Sequence, residues 1–214
     1  ATLQGPAVFQ TVNSDNTGPF VRQSVSEEGA LMNISVEIRP GEGRVLVQTT
    51  PLMGVSFQDA ANTAVFVAEE KTGKQLTSSD IIFSITAAEA VPGVDGPSAG
   101  ALMALLTISA INNSPKLNES ITLTGTIDND GNIGEIGGVL EKAKAAKAGG
   151  KTLFLIPREN SKLVTYKLVE RKFGGFTVVE RQQEIVDAEK YIENNVGINV
   201  EYVSTIDDVL KYEK

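Results

Sequence analysis

Neither cysteine nor histidine occurs among the 214 residues. That double absence removes a Ser-His-Asp triad, a thiol nucleophile and any thiolate or imidazole zinc site. Only oxygen-ligand metals such as Mg or Ca remain open to the chain. Cations are also scarce: 19 Lys and Arg stand against 27 Asp and Glu, for a net charge of −8. Without a basic stripe to track phosphates, nucleic-acid binding is not expected. The densest cationic group, Lys142, Lys144, Lys147 and Lys151, reads as a solvated helix face. No apolar run reaches the roughly 18 residues of a membrane span. Ala1–Gln10 has neither a basic start nor a long apolar core, so no signal peptide is visible. The chain also lacks an initiator Met, so it reads as a processed protein or a piece of a longer one, and its location stays open.

What is present suits a globular α/β or α+β unit with a strand-rich N-terminal portion: 41% hydrophobic and 21% charged residues. A chain of this length buries about 70% of its unfolded surface and needs no staple. Residues 1–30 are polar and turn-rich and are left unassigned. Leu31–Arg39 alternates as a strand, Pro40-Gly41-Glu42-Gly43 is a turn, and Arg44–Thr50 is a second strand, so the pair is expected to form a hairpin. Phe57–Lys71 has helical period with Gly73 as C-cap, and Asp80–Thr86 is a β-branched strand. A loop over Ala87–Pro97 leads to Ser98–Ile111, a helix apolar nearly all round and therefore central. Ser120–Ile127 is expected as one strand, Asp128–Gly131 as a turn, and Val139–Ala148 as a helix between two Gly pairs. Thr152–Ile156 is a short buried strand. Two helices are expected near Lys162–Lys172 and Gln183–Asn194, with a strand at Phe176–Val179 between them. Asn199–Val203 is a strand, and a helix over Ile206–Tyr212 is capped by Thr205. No repeat, low-complexity tract or linker divides the chain, so one domain over 1–214 is expected.

The strongest chemical signal is Asp95-Gly96-Pro97-Ser98-Ala99-Gly100, a tight loop ending where a helix begins. A serine there lies beside unsatisfied N–H groups and partial positive charge, the setting an acyl-transfer nucleophile needs. The same residue could simply cap the helix, with Pro97 at its first position. A nucleophilic serine needs a base, and without histidine the remaining choice is a lysine kept neutral by burial. Lys142, Lys144 and Lys147 share one helix, and the sequence alone does not say which faces inward.

The run VDGPSAG before an apolar helix resembles the nucleophile segment of the Lon proteases. LTGTIDNDGNIGEIGGVLEKAKAAKAGGKTLFLIP and the tail INVEYVSTIDDVL are similar to later parts of the same proteolytic domain, in the same order. The resemblance covers about residues 31–157 and 198–212, with 44 positions from Ser98 to Lys142. It implies a Lon proteolytic-domain fold, like ribosomal S5 domain 2, and a serine endopeptidase working by a Ser-Lys dyad without cofactor or metal. Ser98 falls on the family's nucleophile, Lys142 on its general base and Thr124 on the threonine that contacts the lysine amine; Asp95, beside the serine, is a supporting candidate. The resemblance also implies polypeptide substrates and a hexameric ring. No G-x-x-x-x-G-K-[ST] loop occurs, so cleavage of flexible chains is expected to be independent of ATP, with any ATPase segment lying elsewhere in a parent protein. Histidines common before the family's serine are missing, and Thr126 stands where an acidic residue is frequent. Residues 161–196 exceed what the family needs and are expected to be a helical insertion. The competing reading is a non-catalytic oligomerisation or peptide-binding scaffold; a phosphate-binding enzyme of the S5-like fold fits less well, because Asp95 sits beside the loop.

Overall fold

A computed structural model describes residues 1–15, 22–48, 50–87, 93–113 and 118–212. Of the loop expected over Ala87–Pro97, residues 88–92 lie outside these. The chain opens with two long strands, β1 (Thr2–Asp15) and β2 (Arg22–Pro40), followed by the short β3 (Val45–Val47) and β4 (Leu52–Met53). Helix α1 (Val55–Thr72) leads to β5 (Ser79–Ala87), β6 (Gly93–Val94) and helix α2 (Gly100–Asn112). Three short strands, β7 (Ile121–Leu123), β8 (Thr126–Ile127) and β9 (Ile133–Gly134), precede α3 (Val139–Ala148). After β10 (Leu153–Pro157) come β11 (Lys162–Phe173) and β12 (Phe176–Asp187), then α4 (Ala188–Asn195), β13 (Asn199–Val203) and α5 (Ile206–Leu210). This is a mixed α+β arrangement.

The main sheet runs β1-β2-β5-β3, and a parallel sheet runs β13-β10-β7. The larger core joins the main sheet to α1 and α2 through Met32, Ile34, Phe57, Phe83, Ile85, Leu102 and Leu106. Every residue of α2 except Ala110 and Asn112 is buried. Its two interior hydroxyls are satisfied within the helix: Thr107 Oγ1 donates to the Met103 carbonyl (2.8 Å) and Ser109 Oγ to that of Leu105 (3.0 Å). Each large side chain buried along α2 contributes about 2 kcal/mol, which anchors the helix in the core. A second core packs α3 and α4 on β10 and β13, through Val139, Ala143, Ala146, Phe154, Ile156, Ile192 and Val200.

Several elements match their sequence signals. Gly73 ends α1 at φ 66°, and Thr205 starts α5 in a capping box with Asp208. Gly138 and Gly149 bracket α3. Four expectations are corrected. The described residues of 1–30 are mostly strand: Thr2 pairs with Ser35 and the antiparallel ladder continues to Asp15 with Arg22. Long-range pairing sustains this polar stretch, which its own composition does not signal. The strands on either side of Pro40-Gly41-Glu42-Gly43 do not pair with each other; β5 lies between them, antiparallel to β2 and parallel to β3. Asp80 on β5 organises the crossing. Its carboxylate accepts from the amides of Glu42 (2.9 Å) and Arg44 (3.1 Å) and from the Arg44 guanidinium. The Arg44 side chain, and then these amides, hold that carboxyl well below the usual carboxylate range. The strand expected over Ser120–Ile127 breaks after Thr124, whose amide still donates to Leu155 on β10, because the next amide, that of Gly125, turns to the Ser98 carbonyl.

The helical insertion expected over 161–196 is instead a β-hairpin. β11 and β12 pair antiparallel from Lys162 with Asp187 to Phe173 with Phe176, and only α4 is helical. Gly174 and Gly175, both at positive φ (55° and 121°), turn the chain between two runs rich in Val, Thr, Tyr and Phe.

Candidate functional site

Ser98 lies in a single helical turn, Pro97–Ala99, that runs into α2 and places it at that helix's positive end. The turn is fixed from outside. The Gly125 amide donates to the Ser98 carbonyl (2.9 Å), Thr124 Oγ1 donates to the same carbonyl (3.1 Å), and the Ala101 amide donates back to Gly125 (3.1 Å). Gly100 permits the contact, since a Cβ there would come within 2.9 Å of Ile127 Cγ2 and 3.1 Å of its amide nitrogen.

Lys142 projects from α3 into the space beside this turn and is 4% exposed. Lys144 and Lys147 are exposed; the first pairs with Glu141 (3.9 Å) and the second donates to the Gly197 carbonyl. The structure thus separates the three lysines that the sequence left equivalent. Lys142 Nζ donates to Thr124 Oγ1 over a long 3.4 Å. The resulting chain runs from the amine through the threonine hydroxyl to the Ser98 backbone. Desolvation alone lowers the Lys142 pKa from 10.5 to about 8.

Ser98 and Lys142 line one cleft of about 210 Å³, whose apolar wall includes Pro6, Val8 and Phe9 of β1, Ile34 of β2 and Phe57 of α1. No hydrogen bond joins Ser98 Oγ to Lys142 Nζ among the described residues. Asp95 also borders the cleft, but its carboxylate is engaged elsewhere: Oδ1 accepts from the amides of Phe57 (3.2 Å) and Gly96 (2.8 Å). Helix α1 begins at Gly54, which has no side chain to cap it, and Asp95 supplies the missing acceptor from a distant part of the chain. A Cβ on Gly54 would fall within 2.1 Å of the Asp95 carboxyl carbon.

The β1 wall was not legible as part of a site. The only trace is the short apolar run Pro6-Ala7-Val8-Phe9 in a segment otherwise read as turn-rich. Among the described residues no group of three or more Asp or Glu could hold a metal ion.

Comparison with known proteins finds Lon proteases. The Lon protease of Vibrio parahaemolyticus is 33% identical over 138 residues, covering 63% of this chain and 17% of the relative. The archaeal Lon protease of Methanothermobacter thermautotrophicus is 30% identical over 149 residues, covering 68% and 22%. The Lon protease of Buchnera aphidicola is 27% identical over 187 residues, covering 86% and 21%. The chain therefore spans about a fifth of the length of these relatives. The model of the Lon protease (S16) C-terminal proteolytic domain matches residues 24–186, and the chain belongs to that family.

Proposed function

We propose that this chain is a serine endopeptidase whose nucleophile is Ser98 and whose general base is Lys142, on a domain of the ribosomal S5-like type that works as one unit over 1–214. The observation that carries the reading is the buried Lys142 amine sharing a cleft with Ser98 and tied to its turn through Thr124. A lysine with a pKa of about 8 is neutral in about a tenth of molecules at pH 7, enough to accept a proton without a histidine. Neutral Nζ takes the Ser98 Oγ proton as the oxygen attacks the scissile carbonyl. The positive end of α2 favours the oxyanion that develops. The ammonium then returns its proton to the departing amine, and a water molecule hydrolyses the acyl-enzyme with Lys142 again as base. Thr124 acts as a positioning residue, orienting the amine. Asp95 supports the loop by tying it to α1.

Substrate entry must draw Ser98 and Lys142 into direct contact, as catalytic hydrogen bonds commonly tighten only in the loaded site. Strand β6, four residues before Ser98, pairs only with β4 among the described residues. Its other edge suits an extended peptide. Disordered polypeptides adopt that shape readily, whereas folded domains first need about 5–15 kcal/mol of unfolding. With no nucleotide loop in the sequence, cleavage by this chain is independent of ATP and Mg. The test is digestion of an unfolded chain such as casein by the parent, Ser98→Ala and Lys142→Arg proteins, with and without ATP, Mg and a chelator. Cleavage by the parent alone, unaffected by these additions, supports the reading. A scaffold would give no cleavage, and an active Ser98→Ala protein would remove the assignment.

A further inference from the structure

We propose that the β11–β12 hairpin is a self-association element, in which β12 of one copy pairs edge to edge and antiparallel with β11 of a second copy. Among the described residues the hairpin forms a sheet of its own, with both strands as edges. Leu163, at its base, packs on the second core. Beyond the base, exposed apolar side chains and charged ones occur on both faces. Val164, Tyr166 and Leu168 share one face with Val179 and Ile185, and each is more than half exposed. The opposite face carries Lys167 and Arg171 on β11 and Glu180 and Glu184 on β12, with Arg171 and Glu180 in contact at 3.5 Å, together with the exposed Phe173, Phe176 and Val178. A two-stranded sheet of this length is marginal alone in water, and further strands with an apolar face make such a sheet stable.

Charge identifies the missing strand as another copy. Strand β11 has four cations (Lys162, Lys167, Arg171, Lys172) and one carboxylate, Glu170. Strand β12 has three carboxylates (Glu180, Glu184, Asp187) and one cation, Arg181. The two edges of one hairpin are therefore complementary to each other, and an edge of one copy fits the opposite edge of the next. Repeating the hairpin's own register across the joint sets Asp187 beside the second copy's Lys162 and Ile185 beside its Val164. The same register sets Glu180 and Glu184 diagonal to its Lys167, and Arg181 diagonal to its Glu170. All these neighbours are opposite in charge or both apolar. The contact is heterologous, so repetition closes a ring or extends a filament. This inference does not rest on the catalytic reading.

Sedimentation of the full chain at low salt tests it. The parent should associate, and less so as salt screens the edges. Lys167→Glu with Arg171→Glu, and separately Glu180→Lys with Glu184→Lys, should each weaken self-association by about tenfold or more. Mixing these two proteins should restore association, because each supplies the edge the other needs. The fourfold variant carrying all these changes keeps the hairpin's internal pairs and so guards against misfolding. It should associate with itself and be excluded from parental assemblies. A monomeric parent, whether its hairpin serves a polypeptide, a membrane or nothing, would overturn the proposal. So would single-edge reversals that assemble like the parent, or a fourfold variant that mixes freely with it.

Discussion

Replacing Lys142 with Met should inactivate the protein and stabilise it. The lysine's pKa falls from 10.5 to about 8 on folding because its charged form is desolvated. Between those values the unfolded chain holds the proton and the folded chain does not, so stability rises with pH through that window and the penalty is constant below it. A shift of this size amounts to a penalty of about 3 kcal/mol at pH 7, about 2 at pH 9 and about 1 at pH 10. Methionine fills nearly the same volume without a charge, and Thr124 keeps its bond to the Ser98 carbonyl. Urea unfolding of both proteins at several pH values provides the assay. The Met protein should be the more stable by up to about 3 kcal/mol at pH 7, with the gap closing towards pH 10. A Met protein less stable than the parent at pH 7, or a gap that does not change with pH, would refute the burial argument.

The same pKa predicts that peptide cleavage rises about tenfold from pH 7 to a plateau above pH 9, as measured in a pH–rate profile; a profile flat across that range would contradict it. Thr124→Val removes the hydroxyl between the amine and the serine turn and should lower kcat by about tenfold to a hundredfold while leaving the alkaline rise in place. Gly54→Ala should push Asp95 off the start of α1, lowering stability by about 1 kcal/mol in thermal melts and slowing cleavage as well. Thr205→Ala breaks the capping box of α5, away from the cleft, and should lose about 1 kcal/mol of stability with kcat unchanged.

What the sequence made legible was local. Helices α1, α3 and α5 carry their own start and stop signals at Gly73, the Gly pairs around 139–148, and Thr205, and α2 declares itself by being apolar on every side. Ser98 was legible as a candidate from its place at a helix start, a setting that ordinary capping serines share, while Lys142 was one of three lysines on its helix until the resemblance to the Lon proteases singled it out. The losses were non-local. Nothing near Gly41 says that its turn is built on Asp80, a residue on another strand, so the hairpin expected there does not form. Asp95 looked like a neighbour of the serine, whereas its partner is the Phe57 amide, 38 positions earlier. The β11 and β12 runs mix charges with apolar residues at a spacing that also fits a helix. Their alternation becomes visible only when Phe173 is set against Phe176 and the ladder is read outward from Gly174-Gly175.

The central claim is that Ser98 is a nucleophile activated by Lys142. It is tested most directly by treating the parent, Ser98→Ala and Lys142→Met proteins at pH 9 with a serine-directed phosphonate, then mapping the adduct by mass spectrometry. One adduct is expected, on Ser98 of the parent, strongly slowed in Lys142→Met and absent in Ser98→Ala. An unmodified Ser98 in protein that still cleaves peptides, or labelling at the parental rate without Lys142, would contradict it.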